Sequence, residues 1–185
     1  MIVAISGKSG SGKSKLSLEL SKRLNYKRID VDDYARVIRD KHKDEIIQLV
    51  GNRDFIISGK IDSKLLGKLL FEDKALMKKY NEFIYSFLED EINKELEKAE
   101  NGIIDSLFLP IMDVFKLCDY KILLECNDDI RYKRLMLRDS IDLIYIKQRD
   151  KFSLEYKHED FDLIINSDSS FDVNEIINKI KKLSD

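Results

Sequence analysis

The sequence predicts an α/β fold in three layers, with helices covering both faces of a five-stranded parallel sheet. Three observations lead there. Apolar runs bounded by polar turns alternate with stretches of helical period along the whole chain, the pattern of parallel strands joined by helical crossovers. A glycine-rich turn stands between the first apolar run and a helical stretch, so strand, loop and helix follow one another directly. At 185 residues the chain matches one domain, 1–185, with a core that needs neither disulfide nor structural metal.

The first strand is Ile2 to Ser6. Behind it Gly7-Lys8-Ser9-Gly10-Ser11-Gly12-Lys13-Ser14 spells G-x-x-x-x-G-K-[ST] in full. The glycines permit the positive φ angles that turn successive N–H groups inward, and the helix opening at Lys13 adds its positive end. The product is an anion nest for a nucleotide's phosphates. Lys13 is expected to reach the β and γ phosphates, and the Ser14 hydroxyl to complete the coordination of a magnesium ion. Lys8, Ser9 and Ser11 fill the variable positions and should serve through their backbone donors.

The second strand, about Tyr26 to Val31, runs into Asp30-Val31-Asp32-Asp33-Tyr34-Ala35-Arg36. Ligands gather at the carboxyl ends of strands in open parallel sheets. Asp32, where the chain leaves the sheet, is placed to accept or orient a substrate hydroxyl for in-line attack on the γ phosphate. The competing reading makes Asp32 or Asp33 the cap of the next helix. With the phosphate loop beside it, Asp32 is read as functional and Asp33 as the cap.

A helical insertion over about 60–100 follows. Gly51-Asn52 and Ser58-Gly59-Lys60 mark turns within the stretch between the second and third strands, and Asp62 or Ser63 caps the next helix. Its main helix runs from Asp73 to about Lys98, where Leu76, Tyr80, Phe83, Ile84, Phe87, Leu88 and Ile92 form one apolar face for core packing. The third strand, Gly102 to Leu107, contains Asp105, a candidate magnesium-side carboxylate. Ser106 follows it where motor-like ATPases keep a glutamate, and the GTPase marker Asn-Lys-x-Asp is missing, so transfer to a small molecule is favoured over hydrolysis. Pro110 opens a short helix.

The fourth strand is Tyr120 to Glu125. On the helix after Asp128-Asp129, Arg131, Arg134 and Arg138 share a face, and Arg149 and Lys151 lie further on. These basic residues suit either a lid over about 138–157, where at least one of Arg138 and Arg149 stabilises the moving phosphoryl group, or a solvated face paired with acids. The fifth strand is Asp162 to Ile165, and the last helix packs Val173, Ile176, Ile177 and Ile180 on the sheet.

Composition narrows the partners. Lys+Arg 33 against Asp+Glu 35 leaves a net charge of −2 with no long block of one sign, which points away from nucleic acid and anionic membranes. No segment approaches the roughly 18 apolar residues of a membrane span, and the opening apolar run is too short for a signal peptide. A cytoplasmic protein acting on a small molecule is expected. Cys118 and Cys126 read as buried small hydrophobes, and His42 and His158 as surface residues.

With these residues placed, the chain resembles the dephospho-CoA kinases, which phosphorylate the ribose 3′-hydroxyl of dephospho-CoA at the last step of coenzyme A synthesis. The likeness runs nearly end to end. Ile2 to Ser14 is similar to the family's opening, although Lys15 stands where Thr is usual. Asp30-Val31-Asp32-Asp33-Tyr34-Ala35-Arg36 is similar to the family's D-x-D-x-x-A-R, which implies Asp32 as catalytic base and a substrate-side role for Arg36. Gly59 to Phe71, Leu117-Cys118-Asp119, Arg138-Asp139 and Ile165-Asn166-Ser167 also fit, the last implying that Asn166 and Ser167 begin a loop beside adenine.

The implied fold is a three-layer P-loop kinase with a lid and a helical substrate-binding insertion, using ATP and Mg²⁺. Two segments depart from the family: its His-Pro falls at Tyr85-Ser86, and its Pro-Leu-Leu-x-Glu is replaced by Leu107-Phe108-Leu109-Pro110-Ile111. Both lie on the acceptor side, which makes Tyr85 a substrate-binding candidate. A nucleoside or nucleoside-monophosphate kinase on the same core, or a nucleotide-binding module without catalysis, are the alternative readings.

Overall fold

The computed structural model describes residues 1–184. In chain order the elements begin β1 (Ile2–Ser6), α1 (Lys13–Leu24), β2 (Lys27–Asp30), α2 (Val31–Lys41) and α3 (Lys43–Val50). A hairpin of β3 (Ile56–Ile57) and β4 (Lys60–Ile61) leads to α4 (Ser63–Glu72) and α5 (Lys74–Glu97). Then come β5 (Gly102–Asp105), two short 3₁₀ turns, β6 (Tyr120–Glu125), α6 (Asp128–Asp139), α7 (Leu143–Asp150), β7 (Leu163–Asn166) and α8 (Val173–Ser184).

The main sheet has the order β2-β5-β1-β6-β7, with every pairing parallel. The most apolar strand takes the centre. In β1 the side chains alternate between two cores. Val3 and Ile5 pack with α1 and α8 through Leu16, Leu20, Ile176 and Ile180. Ala4 faces the other way, joining Ile104 against α2 to α5. All three β1 residues are fully buried, which explains why the strand is apolar throughout rather than alternating.

Helix α5 presents Tyr80, Ile84, Leu88 and Ile92, one per turn, to the second core, with Leu76, Phe83 and Phe87 packed alongside. Asp73 caps it, accepting from Ala75 N (2.8 Å) and Leu76 N (3.0 Å). Asp62 caps α4 in the same way, at 2.9 Å to both Lys64 N and Leu65 N.

The strands agree with expectation except at their ends. β2 stops at Asp30 because the Asp30 carboxylate accepts from Asp32 N (3.1 Å) and starts α2 at Val31. Asp30 is therefore the cap, and Asp33, expected in that role, pairs with Arg36 at 2.7 Å instead. β5 stops at Asp105 rather than Leu107, since the Ser106 hydroxyl accepts from Phe108 N (3.1 Å) and bends the chain away. Ser58 and Gly59 form a hairpin turn, both with positive φ (49° and 79°), so that short pair of strands replaces a plain turn. His42 is half-buried rather than a surface residue, its ring stacked on Phe87 with centroids 4.0 Å apart. No described helix is long and apolar enough to cross a membrane.

Candidate active site

The carboxyl ends of β1, β2 and β5 meet at the glycine-rich loop. Gly7 and Gly10 are needed there for space as well as φ. A Cβ on Gly7 would lie 2.3 Å from the Leu124 carbonyl oxygen, and one on Gly10 would lie 2.8 Å from that of Arg131. Both have positive φ, 147° and 84°. The loop closes on itself through Ser11 N donating to Lys8 O (3.1 Å), and the Lys13 ammonium donates to the same carbonyl at 3.3 Å. Burial lowers the Lys13 pKa below 10.5, an effect opposed by the charges of Asp32 and Asp105.

Behind the loop, the Ser14 hydroxyl donates to Asp105 Oδ1 at 3.2 Å. The other Asp105 oxygen accepts from the Ser17 hydroxyl and from Arg28, whose Nε and Nη2 lie 3.2 and 3.0 Å away. Arg28 also holds Asp30 at 2.5 Å. Burial pushes the Asp105 pKa up, while Ser17 and Arg28 pull it back. Ser17 and Arg28 escape a reading of the sequence, because their partner is 88 and 77 residues away. The available signal was the strand period: Arg28 and Asp30 are two apart on β2 and share a face.

A cleft of about 310 Å³ opens in front of the loop, lined by Lys13, Ser14, Lys15, Asp32, Arg134 and Arg138 among others. Asp32 and Arg138 thus face the loop's lysine across one small space. Arg138 is held by Asp139 through two bonds of 2.6 and 2.8 Å, which raise its pKa, with a further contribution from Asp32. Arg149 stands apart from this cleft's lining. Its Nε and Nη2 are buried without a partner among the described residues, and its charge helps hold Asp139 low. Arg131, by contrast, is wholly buried and bonded to Asp128, Asp150 and the Ser9 carbonyl, so it is no free lid arginine.

A second cavity, about 510 Å³, lies on the other side of Lys15, walled by Ser167, Asp168, Ser169, Phe171 and Val173. Asn166 does not wall it; its side-chain oxygen accepts from Asp168 N (2.8 Å) and shapes the turn. A third cavity, about 520 Å³, lies between α5 and the segment after α7, with Tyr85, Met77, Lys74, Lys151 and Phe152 in its wall. The Tyr85 hydroxyl is buried without a partner among the described residues, and burial, then Tyr80 and Asp32, raise its pKa. A neighbouring space of about 630 Å³ shares Lys74, Lys151 and Phe152. Arg36 is exposed and occupied by Asp33.

The arrangement is chemically asymmetric: cations and backbone donors on the loop, a carboxylate opposite, and room on both sides. That suits the transfer of a phosphoryl group between two small molecules.

Comparison with known proteins agrees. The family model described as Dephospho-CoA kinase matches residues 1–172. A curated relative, the dephospho-CoA kinase of Fusobacterium nucleatum, is 28% identical over 180 residues, spanning 93% of this chain and 92% of the relative. Among solved structures, TT1252 from Thermus thermophilus superposes with a TM-score of 0.76 at 19% identity, over 100% of this chain and 96% of that one. The dephospho-CoA kinase from Campylobacter jejuni gives 0.56 at 21% identity, over 98% and 96%. At such identities the structural likenesses speak for the fold alone.

Proposed function

The chain belongs to the dephospho-CoA kinase family, whose members are ATP-dependent kinases, and on that premise we propose how its own residues phosphorylate the ribose 3′-hydroxyl of dephospho-CoA. The observation that supports this most is the cleft in which Lys13, Asp32 and Arg138 face one another over the loop. Backbone N–H groups of the loop Gly7 to Ser14, other than that of Ser11, bind the β and γ phosphates with Lys13. Asp32 accepts the proton of the attacking hydroxyl as the new O–P bond forms and the bond to the departing ADP breaks. Arg138 leaves Asp139 for the γ phosphate, and Arg149, with two buried unpaired donors, supplies further charge as the lid over about 138–157 closes.

The residues present fit a magnesium ion. Ser14 and Asp105 offer hard oxygens 3.2 Å apart, and no cluster of three or more His, Cys, Asp or Glu side chains exists to hold a metal by itself among the described residues. Ser14 and Asp105 would hold such an ion, which would supply charge neutralisation to the bound phosphates.

The acceptor enters from the helical insertion, about 60–100, with Tyr85 at the cavity wall and Arg36 on the substrate side. Adenine of ATP takes the cavity beside Lys15, at the loop begun by Asn166 and Ser167. A cytoplasmic setting belongs to the same proposal.

The test is coupled ADP release from Mg·ATP with dephospho-CoA and a panel of nucleosides and nucleoside monophosphates. Release with dephospho-CoA alone, yielding coenzyme A, is expected. Release with a nucleoside or nucleoside monophosphate instead would assign the acceptor pocket to another substrate.

A further inference from the structure

The phosphate loop is gripped from outside. Three consecutive carbonyls each accept from a side chain remote in sequence. Ser9 O accepts from Arg131 Nη1 at 3.1 Å, Gly10 O from Arg134 Nη1 at 3.4 Å, and Ser11 O from the Ser167 hydroxyl at 2.7 Å. No peptide bond in the described chain is cis. In a planar trans peptide, the carbonyl of one residue and the N–H of the next point in opposite directions. Holding Ser9, Gly10 and Ser11 by their carbonyls therefore turns the N–H groups of Gly10, Ser11 and Gly12 the other way.

Of these, Ser11 N closes the turn on Lys8. Those of Gly10 and Gly12 have no partner among the described residues, and both glycines line the cleft that holds Lys13.

We propose that Arg131, Arg134 and Ser167 are positioning residues that aim the loop's N–H groups at the phosphates by fixing the opposite ends of the same peptides. The inference rests on the reading that this loop binds phosphate.

Two of the three are built for holding rather than for reaching a ligand. Arg131 is 0% exposed, with its other donors spent on Asp128 and Asp150. Ser167 is 3% exposed and its hydroxyl points at Ser11. Arg134 adds a second anchor by donating to Ser167 O at 2.8 Å, so the grip on Gly10 and the grip on Ser11 brace each other. The Arg131 hold is tied through Asp150 to the end of α7, which lets lid position and loop shape influence one another.

Inorganic tripolyphosphate separates this role from contact with the base, because it carries the phosphates without adenine. Affinities of magnesium tripolyphosphate, Mg·ATP and Mg·GTP would be measured by calorimetry for the unaltered protein, Ser167→Ala and Arg131→Lys.

For Ser167→Ala we expect tripolyphosphate and ATP to weaken by the same factor, about three- to tenfold, the size of one net hydrogen bond. The preference for ATP over GTP should not change. Arg131→Lys, which cannot span Ser9, Asp128 and Asp150 together, should weaken both more. If it fails to fold, the serine variant alone decides. Weaker ATP with unchanged tripolyphosphate would place Ser167 on the base and overturn the proposal, as would no change in either.

Failure in these variants, with phosphate binding by the unaltered protein intact, touches this inference only. An unaltered protein that binds neither ATP nor tripolyphosphate would remove the phosphate-loop reading as well.

Discussion

Lys13 and Asp32, which share the cleft, differ in their surroundings. Lys13 is half-buried, and desolvation lowers its pKa despite the acids nearby; Asp32 is exposed at the cleft's rim. Bound phosphate adds negative charge beside Lys13 and raises its pKa. Nucleotide binding at alkaline pH, somewhat below the ordinary lysine value of 10.5, should then take up a proton, and affinity should fall as pH rises through the lowered value. Calorimetry in buffers of different ionisation enthalpy measures that uptake; Lys13→Arg should abolish it, because arginine stays charged.

For Asp32→Asn we expect kcat to fall about 10²- to 10⁴-fold, as for loss of a general base, with the ATP affinity within about threefold. Unchanged turnover would remove Asp32 from the mechanism. The place of these two residues at one cleft was legible because the loop pattern and the strand end each encode a backbone requirement. Ser17 and Arg28 were not, since their meaning lies in Asp105, on a strand far along the chain. Nor could helical spacing say that Arg131 turns inward to Asp150 while Arg138 stays by the cleft.

At the scale of elements, periodicity told most of what was to be told. The α5 stripe was visible as steps of three and four, and its buried members are those spaced by four. Ile92, 0% exposed, should cost about 2–5 kcal/mol on replacement by Ala, read from the denaturation midpoint. Ser86→Ala on the exposed side of the same helix should change stability by less than about 0.5 kcal/mol. Boundaries were harder to read. A strand that ends in Asp and a helix that begins with Asp look alike in Asp30-Val31-Asp32-Asp33, and only the hydrogen bond from Asp32 N decides that Asp30 is the cap. The hairpin of β3 and β4 was too short for any period to register; only its turn residues Ser58 and Gly59 stood out.

On the scale of the molecule, the phosphate site stands between two cores that share one sheet, so a ligand there should stabilise the whole. Mg·ATP at about 100 times its Kd adds about 2.7 kcal/mol, which for a chain of this size raises Tm by about 5–10 °C. Differential scanning of the protein with and without Mg·ATP measures this, and Lys13→Ala should erase most of the shift. The parallel architecture was legible because both faces of the inner strands β1 and β5 are buried, so their Ile-Val-Ala-Ile and Ile-Ile read as continuous apolar runs; the strand order was not, since nothing local in a strand names its neighbours.

That order has a consequence for synthesis on the ribosome. β1 is made well before its neighbours, β5 at Gly102–Asp105 and β6 at Tyr120–Glu125. Everything between β1 and β5 must be made before the central strand has either partner, and contacts so distant in sequence form slowly. Until then Ile2 to Ile5 is an unpaired apolar strand, the kind of segment that chaperones bind and that aggregates when they do not.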